Sequence, residues 1–252
     1  MDDGDGDAAL RAAIEALYVA FAAHPLKPTT EPCPCCHGPD DERAIHSAPL
    51  RDLTPTALAG YAADAIWTWG DVDDLKHLLP RLFEIVCFEG FEDRWPDSEA
   101  VFRRLEAGGW SSWPEDERVA VRAVLRAWWT RRLHRSPYED PYDELVGDVT
   151  GAIVASGDDL ATYLAEWAAS AGRAPVVHFA DLYCRNIARI TRGEPPDAGV
   201  GLGERERGAV VDAFTVEAAS TFAPRIAEVL RVERDERSRE TLSDALDAMP
   251  TS

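Results

Sequence analysis

Apolar positions recur along the chain at helical spacing. Leu10, Ile14, Leu17, Tyr18 and Phe21 form one stripe, and Leu58, Tyr61, Ala62, Ala65 and Ile66 form another. The first predicts a helix that ends before His24-Pro25. Thr54-Pro55 opens the second, with a cap residue followed by proline at the first helical position. Gly70 then breaks the pattern, and Asp71 caps a new helix through DVDDLKHLLPRLFEIV. Pro80 lies inside that helix and is expected to kink or split it, because proline removes an amide donor and crowds the carbonyl of Lys76.

Further helices are predicted at about 97–107, 114–135, 139–155, 158–170, 175–191, 204–218 and 222–248, with a short one in DERAIH. Asp158 is the expected cap of the helix carrying Leu160, Tyr163, Leu164 and Trp167. No alternating run of useful strand length appears. The pattern predicts a single all-α domain over residues 1–252, an antiparallel helical-hairpin array of about ten helices, HEAT-like or an irregular bundle. Two segments read as loops, the Pro- and Cys-rich 24–40 and RGEPPDAGVGLGER around 192–205.

An internal echo supports the array. Leu58, Tyr61, Gly70 and His77 recur about a hundred residues later as Leu160, Tyr163, Gly172 and His178. Each copy is expected to be a helix, a glycine break and a second helix with a histidine near its start, as duplicated hairpins are.

Composition narrows the partners. With 26 Lys+Arg against 46 Asp+Glu, the formal charge is −20, a field that repels phosphate backbones and disfavours nucleic acid. It suits basic protein surfaces or cationic ligands. The first residues carry no basic export-type segment, and no run of about 18 apolar residues offers a membrane span. A cytoplasmic location is expected, with the five cysteines as reduced thiols or metal ligands.

Three of those cysteines sit in EPCPCCHGPDDERAIH. Cys33 and Cys36 form a C-x-x-C pair, a spacing that lets two thiolates take one zinc ion from a tight turn. Zinc in a structural site needs four ligands. The expected set is Cys33, Cys36 and His46 with His37 or His24 as the fourth, Cys35 being a further local candidate. A redox-active pair and incidental loop thiols are the alternatives. Cys87 and Cys184 fall among apolar neighbours and read as core residues.

A second constellation, Asp71, Asp73, Asp74, Lys76, His77 and Arg81, puts two acids one turn before a histidine. Asp73 and His77 are therefore candidate acid–base groups, and His178 joins them as the matching histidine of the echo. The bland reading is a capped first turn whose acids face the helix macrodipole. Arg173-x4-His178 matches a spacing of some helical RNases. Pro175 is expected to leave Arg173 outside the helix, and His178 is expected to bond Asp181.

The block TWGDVDDLKHLLPR, with Cys33 to Cys36 before it and Trp128-Trp129, Trp167 and His178 after it, resembles a family of uncharacterised bacterial proteins. The resemblance covers about residues 10 to 190. It implies an α-helical, HEAT-like fold and implies no activity. The leading functional expectation is a helical protein-interaction scaffold with a structural zinc site. The rivals are a metal-dependent or acid–base enzyme using the Asp71–His77 block, and a thiol redox sensor at Cys33 and Cys36.

Overall fold

The computed structural model describes residues 3–138, 145–170, 172–187, 214 and 221–249. Their architecture is all-α. Eleven α-helices follow one another: α1 (Asp3–Ala20), α2 (Pro39–Ile45), α3 (Pro55–Asp64), α4 (Val72–Phe88), α5 (Ser98–Ala107), α6 (Glu115–His134), α7 (Val146–Ser156), α8 (Leu160–Ala169), α9 (Arg173–Leu182), α10 (Ala223–Val232) and α11 (Glu236–Ala248). Among the described residues the sole extended pairing is one bridge between Ala65 and Trp69. The loop expected at 192–205 and the helix expected at 204–218 lie outside the described residues, Phe214 excepted. No helix among those residues is long and apolar enough to cross a membrane.

The chain divides into two compact units. One comprises Asp2–Trp128 with Ala155–Gly157, the other Trp129–Val154 with Asp158–Ser252. In the first unit, Leu10, Ile14, Leu17 and Phe21 of α1 are buried, as are Leu75, Leu78, Leu79, Leu82 and Phe83 of α4. Phe83 packs on Phe102 at 4.4 Å, and Phe102 stacks on Trp128 at 5.1 Å. In the second, Trp167 lies edge-on to Trp129 at 5.3 Å and to Phe179 at 5.5 Å, and Phe179 stacks on Phe222 at 3.8 Å. Each large aromatic buried here removes enough apolar surface to rank among the main stabilising contributions.

Several local expectations are revised. α4 runs through Pro80 without interruption. The flanking Leu78, Leu79, Leu82 and Phe83 are fully buried, and their packing offsets the roughly 3 kcal/mol that an interior proline costs. Asp159, not Asp158, caps α8, accepting from the amide of Ala161, while Asp158 accepts from the Tyr163 hydroxyl at 2.7 Å. Arg173 is the first residue of α9 rather than outside it. The segment 222–248 holds two helices, because Asp235 starts a new one by accepting from the amide and hydroxyl of Ser238.

The echoed positions behave alike. Tyr61 and Tyr163 are buried in α3 and α8, and Gly70 and Gly172 both have positive φ, +68° and +121°. His77 and His178 are each the sixth residue of the following helix. His77 Nδ1 lies 2.7 Å from the carbonyl of His24, and His178 Nε2 lies 2.7 Å from that of Arg135.

Candidate functional site: a fastened loop with three thiols

The loop between α1 and α2 is tied down at regular intervals. His77 donates to the carbonyl of His24, and Lys27 pairs with Asp71 at the start of α4. The amide and hydroxyl of Thr30 donate to Glu42 of α2 at 2.8 and 2.6 Å. The buried indole of Trp69 donates to the same Thr30 hydroxyl at 2.6 Å. The amide of Cys33 donates to the carbonyl of Thr68 at 2.7 Å. Burial raises Glu42, but the two Thr30 bonds and His46 outweigh it, and the carboxyl is held below its ordinary value.

After Cys33 the backbone turns tightly, the amides of Cys36 and His37 both donating to its carbonyl at 3.0 Å. That turn gathers three thiols. Cys33 Sγ and Cys35 Sγ are 2.8 Å apart, and Cys35 and Cys36 are 3.5 Å apart. The three sulfurs all lie within 4.8 Å of one another, close enough to share one metal ion. Cys33 is half-buried, and Cys35 and Cys36 are exposed. Bonding from Cys35 lowers the Cys33 pKa. Cys35 is pushed up to about 11 by its bonds to Cys33 and Cys36 and by their charges. Of the two, Cys33 is the thiol that loses its proton more readily.

The histidines expected as ligands each face a carboxylate. His37 Nε2 lies 3.1 Å from Asp64, and its ring packs on Trp69 at 4.4 Å, above Gly60. His46 Nε2 lies 3.4 Å from Glu42, and His24 Nε2 lies 2.8 Å from Glu117. The structure thus brings together Cys33, Cys36 and Cys35, and neither His37 nor His46 belongs to that group. Cys35, a further local candidate by sequence, takes its place in the group through the turn geometry. Of the remaining cysteines, Cys87 is buried, while Cys184 is half-buried with its sulfur 3.7 Å from the carbonyl of Thr241.

The acid–histidine block does other work. Asp71 accepts from the amides of Asp73 and Asp74, and Asp74 accepts in return from the amide of Asp71 at 3.1 Å, a closed capping box. Asp73 is exposed, and His77 is turned to the His24 carbonyl. Lys76 is buried against Glu117 at 2.7 Å and over the ring of Trp113 at 4.7 Å. In the other unit His178 donates to Arg135 rather than bonding Asp181, which instead accepts from Tyr138 and Arg185. Arg173 pairs with Glu233 and donates to Ser238. Each of these groups, Asp73 apart, has a structural partner that accounts for its position.

No protein-family model, no curated protein and no solved structure matches this chain.

Proposed function

We propose that the chain is a helical binding protein whose chemistry is metal capture by Cys33, Cys35 and Cys36. The observation that carries this reading is the approach of three sulfurs within 4.8 Å on one turn. Thiolates of this kind select soft or borderline ions, and zinc is the ion that the C-x-x-C spacing suggests. The net charge of −20 supports a partner protein with a basic surface, for which the helices serve as scaffold. The matched positions of the two hairpins support an ancestral duplication of a helix–glycine–helix unit.

Elemental analysis of protein expressed with metals supplied tests the reading. A stoichiometric metal is expected, lost in Cys33→Ser, Cys35→Ser and Cys36→Ser and kept in His46→Ala. Metal-free protein under every supplementation would overturn it. If peroxide then consumed two thiols per chain, the redox-sensor reading at Cys33 and Cys36 would be favoured.

A further inference from the structure

Resting on that metal-capture reading, we infer that the loop forms a three-coordinate, all-sulfur site whose fitting ion is monovalent copper. Three features of the loop lead there.

The first is the donor set. A structural zinc site is tetrahedral and closed by four protein ligands. Here three sulfurs converge with no imidazole among them. His37 has Nε2 3.1 Å from Asp64 and stands outside the group of donors that lie within 4.8 Å of one another. His46 is drawn to Glu42 on α2. Zinc at this turn would need its fourth donor from water or from another molecule. Monovalent copper is a soft, closed-shell ion that thiolates select and that three sulfurs satisfy.

The second is the mechanical state of the loop. A metal staple contributes most where it closes a segment that has little else to hold it. This loop is fastened at His24, Lys27, Thr30 and Cys33 by bonds to α2, α4 and the turn that joins α3 to α4. The thiols crown an already ordered turn, which is the arrangement of a preorganised acceptor.

The third is access. Cys35 and Cys36 are exposed and Cys33 is half-buried, so an ion carried by a small thiol or by a partner protein can be handed over by ligand exchange. Binding is a proton-for-metal exchange without electron transfer: each thiol that ligates releases its proton, three sulfur–metal bonds form, and copper remains monovalent.

The test is anaerobic titration of the full-length, reduced protein with Cu(I) against a chromogenic Cu(I) chelator, followed by X-ray absorption at the copper edge. The expected result is one tightly held equivalent with three sulfur neighbours and no nitrogen. Cys35→Ser is expected to leave two sulfurs and lose the competition, and His46→Ala to leave the site unchanged. Circular dichroism of each variant separates loss of a ligand from loss of the fold. A two-sulfur copper site indifferent to Cys35→Ser, or a zinc site closed by a histidine nitrogen, would overturn this inference and leave metal capture standing. Failure to retain copper or zinc at all would overturn both.

Discussion

Gly70 carries the turn between α3 and α4. Its φ of +68° lies in the left-handed region, and a Cβ there would stand 3.0 Å from the carboxylate of Asp74. Gly70→Ala therefore meets backbone strain and a clash with the capping box, and is expected to lower stability by about 1–3 kcal/mol in urea unfolding. His178 is a second residue whose surroundings set its chemistry. Burial, then the charge of Arg132, holds it below its ordinary value, at about 4, against the bond to Arg135. The neutral ring is the one the fold accepts, and the unfolded chain binds the proton more readily. Its contribution is complete above about pH 6.5 and is lost as the pH falls through about 4, on the order of 3 kcal/mol in all. His178→Gln is expected to flatten the fall in urea midpoint across that window. An unchanged slope would show that other groups dominate.

At the scale of elements, the cysteine loop and the helices behave as one construction. Thr30 is the joint, since its hydroxyl accepts from Trp69 while donating to Glu42. Thr30→Val keeps the shape and removes both bonds, leaving the Trp69 indole without an acceptor in a buried position. The expected loss is about 1–3 kcal/mol. A supporting-shell defect of this kind also weakens metal affinity by about 10–100-fold, readable by chelator competition. A stability loss with unchanged affinity would show that the thiol turn is ordered independently of its foundations. The capping box of α4 belongs to the same construction, because Lys27 ties the loop to the Asp71 that caps the helix.

At the scale of the whole molecule, the formal charge of −20 is a standing source of repulsion within a folded chain. Added salt screens it, so the melting temperature is expected to rise as sodium chloride increases from millimolar to several tenths molar. A fall over that range would place the ion pairs, such as Lys76–Glu117, above the net repulsion in importance. The two compact units share a plan at their hairpins, with a buried tyrosine, a positive-φ glycine and a histidine bonded to a distant backbone carbonyl.

Periodicity, caps and breakers were legible in the linear chain. The stripe of α1, the Leu58, Tyr61 and Ala62 part of that of α3 (the helix ends at Asp64, before Ala65 and Ile66), the Thr54-Pro55 start, the Gly70 break and the Asp71 cap follow from interactions within a few residues, which sequence spacing encodes directly. Pro80 does not split the helix, because buried tertiary packing overrides a local propensity that opposes one there. The thiol site was legible in part. Cys33 and Cys36 stood out by spacing, whereas Cys35 joins them through the turn and His37 meets Asp64, contacts that spacing does not contain; His46 faces Glu42, its own neighbour one helical turn back. Asp64 and Trp69 lie well beyond the loop in sequence, and they decide where His37 points. What the sequence alone determined is the helical grammar and the presence of clustered thiols. Which side chains meet was decided in part by tertiary structure, because Asp64 and Trp69, distant in the chain, meet the His37 ring, whereas His46 faces Glu42 one helical turn before it.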